Sequence, residues 1–168
     1  GLPGAVSAGV AALPPDVPGD HWAAPAILAL RQPQANTEVS LVEVFGDGTF
    51  QGTQTLIRYD FVKNLDNLVR YLGEQGVKLG PDGPLPDCPY MDVPADHYSR
   101  DSIRRLLWMI PGGKDMFGGR QPLTRRDMAL WLYRLLKECP KAAGVKVAAA
   151  PPDVPPGYGE MVAWTLAA

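Results

Sequence analysis

The 168-residue sequence predicts a mainly helical protein built from tandem helix–loop–helix repeats, on three observations. The phrase Asp16-Val17-Pro18-Gly19-Asp20-His21-Trp22 returns as Asp92-Val93-Pro94-Ala95-Asp96-His97-Tyr98, with a looser third copy at Asp153-Val154-Pro155. A glycine-bearing turn follows the first two, Gly46-Asp47-Gly48-Thr49-Phe50 and, 67 residues later, Gly113-Lys114-Asp115-Met116-Phe117. After each turn apolar residues recur at i, i+4, i+7 and i+11, as Phe61, Leu65, Leu68, Leu72 and as Met128, Leu132, Leu135, Cys139, which is one stripe of an α-helix. Units repeating at this period bury their stripes against one another.

Residues 1–14 read as an irregular lead-in, a processed or engineered start without the basic segment or initiating Met of an intact signal peptide. The first copy covers residues 15–72. Pro15 and Pro18 predict an extended opening, because a residue before proline is pushed out of the helical region. Asp20 is then expected to cap a first helix ending near residue 30, with Pro25 within its first turn. Ile27 and Leu30, matched by Ile103 and Leu106, fall eleven and fourteen residues after the opening Asp and supply one helical face. The opening phrases lie 76 residues apart but the later parts 67, so the first copy carries nine extra residues, with Arg31-Gln32-Pro33-Gln34-Ala35-Asn36-Thr37 as an inserted loop. The alternating Glu38-Val39-Ser40-Leu41-Val42-Glu43-Val44-Phe45 suits a short strand.

A second helix is predicted over residues 58–72, stopped by Gly73, with a Gly/Pro linker over 73–88. The second copy covers 89–139. Its Thr124, with Asp127 three positions on, forms a capping-box signature, whereas Ile57 at the equivalent position leaves the earlier helix without a side-chain cap. A linker over 140–151 and a partial third copy over 152–168, with an opening phrase and one helix, complete what reads as one domain.

The composition narrows the function. A net charge of −2 with dispersed Lys and Arg argues against nucleic acid as partner. No apolar run approaches the ~20 residues that span a bilayer. Arg104-Arg105 reads as two solvated helix positions. Cys88 and Cys139, 51 residues apart, either form a disulfide that closes the second copy on itself, contributing roughly 4 kcal/mol by the loop-entropy model, or remain two buried free thiols, as the redox compartment decides. With no Cys-x-x-Cys pair and only two His, no metal and no other cofactor is expected.

The Asp-Val-Pro phrase with its following aromatic (Trp22, Tyr98), the turn Gly48-Thr49-Phe50 and the helix start Thr124-Arg125-Arg126-Asp127 together resemble the S-layer homology family. The likeness covers residues 15–72, 90–139 and 152–168. It implies three repeats in a pseudo-threefold helical spindle whose grooves bind cell-wall-linked polysaccharide, anchoring surface proteins without catalysis. It also implies an exported protein, at the cell surface, in the cell wall or in the periplasm. Carried over residue by residue, the glycan-binding candidates are Asp16, Trp22, Gly48 and Arg58 in the first copy and Asp92, Tyr98 and Arg125 in the second. Tyr98 stands where Trp is commoner, and Lys114-Asp115 replaces Asp-Gly.

Physical chemistry supports those residue types on its own terms. An Arg in the first turn of a helix adds its charge to free backbone N–H groups and the positive end of the helix dipole, favouring a carboxylate or phosphate. A guanidinium can grip a carboxylate through two hydrogen bonds. Each candidate also has a structural alternative. Trp22 and Tyr98 would fill the core beside Ile27 and Ile103; Arg58 and Arg125 would pair with Asp60, Asp127 or a neighbouring opening Asp; His21 and His97 favour a capping or core role over a ligand.

Three other functions compete. A hydrolase using Asp16, Asp20, His21 or the Asp47 region lacks a nucleophile motif and a larger cleft. A calcium-dependent docking module lacks the Asp-x-Asp-x-Asp-Gly spacing. A structural or protein-interaction module, completed by a partner chain or by self-association through the incomplete third copy, is the stronger alternative.

Overall fold

The structure is a computed structural model that describes residues 12–31, 41–110 and 115–139. It is mainly helical: α1 (Ala24–Arg31), α2 (Arg58–Glu74), α3 (Arg100–Leu106) and α4 (Arg125–Lys137), with no strand among the described residues. The strand expected near residues 38–45 is not formed over its described part, 41–45; residues 38–40 lie outside the described set. Also outside it are the lead-in to residue 11, the bulk of the inserted loop, Gly113 and Lys114, and all of 140–168 with the third copy. None of the described helices is long and apolar enough to cross a membrane.

The chain divides into two compact units, residues 1–54 and 55–168. The division falls between the glycine turn of the first copy and the helix that follows it, so α2 belongs to the same unit as the second copy.

In the first unit the opening phrase is not extended. Val17 N–H donates to Pro14 O at 3.0 Å and His21 N–H to Pro18 O at 3.0 Å, making two consecutive turns. Pro15 stands at the second position of the first of these turns, where its fixed φ is the value that a type I turn also uses, so proline here favours the turn and not extension. The second copy repeats the pattern: Val93 donates to Tyr90 O and His97 to Pro94 O. The cap of α1 is also different from expectation. His21 Nδ1, not Asp20, accepts a backbone N–H, that of Ala23 at 3.2 Å. His97 Nδ1 does the same for Ser99 N–H at 3.3 Å, so both histidines tie down the approach to a helix. Pro25 is the second residue of α1, where its missing N–H costs no helical bond.

The second unit holds the main core. Val62 and Leu65 of α2, Ile103 and Leu106 of α3, Phe117 before α4, and Trp131 and Leu135 of α4 pack in one buried cluster. Each such side chain contributes roughly 1.5–3 kcal/mol by leaving water. Beside them lies a buried polar joint. Asp66, 1% exposed, accepts Arg105 Nε at 2.8 Å, Arg105 Nη2 at 2.7 Å and Ser102 Oγ at 2.8 Å. Arg105 is therefore an α3-to-α2 fastening and not a solvated position, and the three donors take the place of water around the buried Asp66 carboxyl. Arg104 is occupied too, donating to the carbonyls of Pro86 and Leu85 at 2.7 and 3.1 Å.

Helix α2 outlasts its expected stop by two residues. Gly73 stays helical, and the terminator is Gly76 at φ 83°, with Val77 N–H bonded to Leu72 O at 2.8 Å and Gly76 N–H to Gly73 O at 3.0 Å. This pair of bonds is a Schellman cap, which needs the left-handed residue one place beyond the C-cap. The segment after it is strapped onto the unit, with Gly80 against the Trp108 indole, where a Cβ would come within 2.6 Å of Nε1.

Of the two alternatives for the cysteines, the candidate disulfide between Cys88 and Cys139 is not formed: both thiols are free and partly buried. Cys139, two residues past the end of α4, turns its Sγ back to Leu135 O at 3.7 Å, while Cys88 packs on the core cluster.

Candidate functional site

Both opening aspartates close a loop. Asp16 accepts the N–H groups of Phe50 and Gln51 at 2.8 and 2.7 Å, and Asp92 accepts those of Phe117 and Gly118 at 2.7 and 2.8 Å. The same carboxylate thus binds the same two successive amides in each copy. Those amide bonds hold the Asp16 carboxyl below the usual range, the Phe50 bond foremost.

The turn they clamp is built by Gly48. Gly48 N–H bonds to Phe45 O and Phe45 N–H to Thr49 O, a type I turn with a glycine bulge, for which the residue at φ 83° must be left-handed. Asp47 fixes the turn by accepting both Thr49 N–H and Thr49 Oγ1, which lowers its carboxyl as well. One residue past Phe50, Gln51 is the single described non-glycine with positive φ, at 52°; its counterpart 67 residues on is Gly118, at 68°.

The two helix-start arginines, at the same register, meet different fates. Arg58 is turned inward, its side chain 11% exposed, with Nη1 2.8 Å from Asp127 Oδ2 and Nε 3.2 Å from Phe117 O. Its guanidinium sits 5.2 Å from the Phe117 ring and 4.9 Å from the Trp131 ring. The first turn of α2 is occupied as well, since Arg58 and Tyr59 N–H donate to Gln121 O and Gly119 O at 3.1 and 3.0 Å. Tyr59 can approach that loop only because residue 119 has no side chain: a Cβ there would lie 2.0 Å from the ring. Neither the guanidinium nor the helix dipole of α2 is thus open to an anion.

Arg125 is exposed at the first position of α4 and has no hydrogen bond or ion pair among the described residues. Thr124 caps that helix as its sequence predicts, accepting Asp127 N–H at 3.0 Å. The Asp127 carboxylate reaches Arg58.

The aromatic pair also resolves. Trp22 is 87% exposed and Tyr98 54%, so neither is a core residue. Trp22 touches His21, ring centres 5.6 Å apart and tilted. Tyr98 is more constrained: its OH donates to Asp60 Oδ1 at 2.6 Å and His97 stacks on it at 4.5 Å. His97 stands in turn 4.1 Å from Tyr59. Burial and the Asp60 carboxylate push the Tyr98 phenol well above its ordinary value, so it remains a donor.

Of the seven expected glycan contacts, then, Trp22, Tyr98 and Arg125 present themselves to solvent, Asp16, Asp92 and Gly48 build loops, and Arg58 is internal. Asp60 and the His97 stack were missed from sequence; the shared register of His21 and His97 was the available signal. Among the described residues no cluster of His, Cys, Asp and Glu could hold a metal ion. No protein-family model matches the chain, and no curated protein matches it.

Proposed function

We propose that the chain is a non-catalytic cell-envelope anchoring module that binds acidic, cell-wall-linked polysaccharide. The observation that carries this is the exposure of Trp22 and Tyr98. A large aromatic left in water at the same register of two sequence copies forgoes roughly 1.5–3 kcal/mol of burial each, and a flat apolar face with a polar rim suits a sugar ring. Arg125 supplies an open cation for an acidic substituent. The likeness to S-layer homology repeats points the same way, as does the tandem arrangement it implies, and supports a location outside the cytoplasm. Arg58 and the opening aspartates serve as scaffold in this proposal.

Co-sedimentation with purified bacterial sacculi tests it. Wild-type chain pellets with sacculi that carry their polymer and stays in solution once the polymer is removed, and Trp22→Ala lowers the bound fraction. Equal binding to stripped sacculi would overturn it.

The protein-interaction alternative draws on Met91 and Met116, both exposed, with Met91 N–H bonded to Asp115 O. Light scattering decides that point: a monodisperse dimer favours it, a monomer does not.

A further inference from the structure

We infer that the start of α4 is a docking surface for a second molecule of this chain, which binds it head to tail through its residues 50–54. The chain carries an internal template for that contact. Residues 117–121 lie against the start of α2, where Arg58 N–H donates to Gln121 O at 3.1 Å, Tyr59 N–H to Gly119 O at 3.0 Å and Arg58 Nε to Phe117 O at 3.2 Å. The repeat offset of 67 residues names the other pair of the same kind: Arg125 stands in the place of Arg58, and residues 50–54 in the place of 117–121.

The two loops share one conformation. Each is clamped by its opening aspartate through two successive amides. Each has a left-handed second residue, Gln51 at φ 52° and Gly118 at 68°. Each closes on the same bond, Gln54 N–H to Gln51 O at 2.9 Å and Gln121 N–H to Gly118 O at 3.0 Å. Their third residues are both glycine, and at Gly119 it is this missing side chain that lets Tyr59 in. Their surroundings differ. Phe117 and Gly119 are buried, whereas Phe50 is half-buried, Gly52 is exposed, and Gly52 O and Gln54 O accept no hydrogen bond among the described residues. The helix starts differ in the same sense. Tyr59 is buried against its loop, while Thr124 and Arg125 are exposed and Arg125 has no bond among the described residues.

One donor face and one acceptor face of a contact the chain already makes are thus left over, each in a different repeat. Docking gives the Arg125 N–H an acceptor in Gln54 O and the guanidinium an acceptor in Phe50 O, with the Phe50 ring for a cation–π contact. Arg126 stands at the Tyr59 position, so the aromatic cover over Gly119 has no counterpart over Gly52, and the contact is weaker than its template. Because the two faces are not the same patch, each molecule in a pair keeps one unused face of either kind, and association continues past the dimer. The inference is independent of polysaccharide binding.

Sedimentation equilibrium of the full chain, without polysaccharide, tests it across a concentration series. The weight-average mass is expected to rise with concentration beyond that of a dimer. Arg125→Glu removes the helix face, and Gly52→Leu puts a side chain where the template has none; each weakens self-association about 10-fold, as loss of a charge-assisted contact implies for the first. An equimolar mixture of the two variants restores one contact, the loop of the Arg125→Glu molecule on α4 of the Gly52→Leu molecule, and stops at the heterodimer. Glu at the first position of a helix suits its dipole, so thermal unfolding of Arg125→Glu matches wild type and separates contact from folding. A wild-type monomer at every concentration, as when another segment of the same chain covers α4, overturns the inference. So does a wild-type mass that stops at the dimer, as a symmetric contact requires, or a mixture no larger than its separate variants.

Discussion

Replacing Arg58 by Ala removes a cation that bridges two aromatic rings and the start of α4. Three contributions go with it: the 2.8 Å pair to Asp127, the bond to Phe117 O, and the ring contacts at about 5 Å. Removing one partner of a buried pair costs roughly 3–5 kcal/mol. Asp127 keeps 21% of its side-chain surface and regains some water, so the lower end applies, about 3 kcal/mol. For a unit of this size that is a fall of roughly 12–24 °C in melting temperature. Arg125→Ala, at the same register but exposed, should change stability by no more than about 0.5 kcal/mol. Urea unfolding followed by helical circular dichroism measures both, with the slope m unchanged to show that the denatured state is the same. A loss below about 1 kcal/mol for Arg58→Ala, or equal losses for the two, would refute the internal role given to Arg58.

The cap is tested by Thr124→Ala, which should cost about 1 kcal/mol by the same unfolding assay. Gln51 and Gly118 predict opposite signs. Gly118→Ala forces a Cβ into left-handed backbone at roughly 1–2 kcal/mol and within 3.0 Å of Gln121 Oε1, whereas Gln51→Gly relieves a similar strain and is neutral to mildly stabilising after the extra chain entropy of glycine. Because the folded chain lowers the Asp16 carboxyl, its stabilising effect is full above the ordinary value of 3.8 and fades as pH falls through the depressed one. Carboxyl-detected NMR should place that titration low, and Asp16→Asn should remove this part of the acid sensitivity. Both thiols should titrate with an aromatic disulfide reagent after unfolding without reductant, because neither is bonded.

Much of the architecture was legible because helix periodicity and caps are local. The positions of α2 and α4, the Thr124 cap and the uncapped Ile57 all follow from residues within one or two turns. What was not legible is pairing across distance. Of the predicted α2 stripe, Leu65 is buried and Phe61 and Leu68 pack partly buried on the core, but the face also buries Tyr59, Val62, Asp66 and Asn67, and Arg105 and Ser102 make burial of the Asp66 carboxylate favourable. Trp131, wholly buried, was passed over in favour of Met128, which is 37% exposed. The two arginines show the limit most clearly. They hold the same register, and it is distant partners, the Asp127 carboxylate, Phe117 O and the Phe117 and Trp131 rings, that hold Arg58 inside. The sequence left the cysteines as a disulfide or as two free thiols, and spacing alone could not choose between them, because it says nothing about where two sulfurs point.

Titration of the isotope-labelled chain with solubilised cell-wall polymer, followed by side-chain and backbone NMR, tests polysaccharide binding at its contacts. Saturable shifts of the Trp22 indole and the Tyr98 ring, with Arg125 moving alongside and the Arg58 guanidinium unchanged, are predicted. Absence of shifts at both aromatics while the polymer is in excess would contradict it.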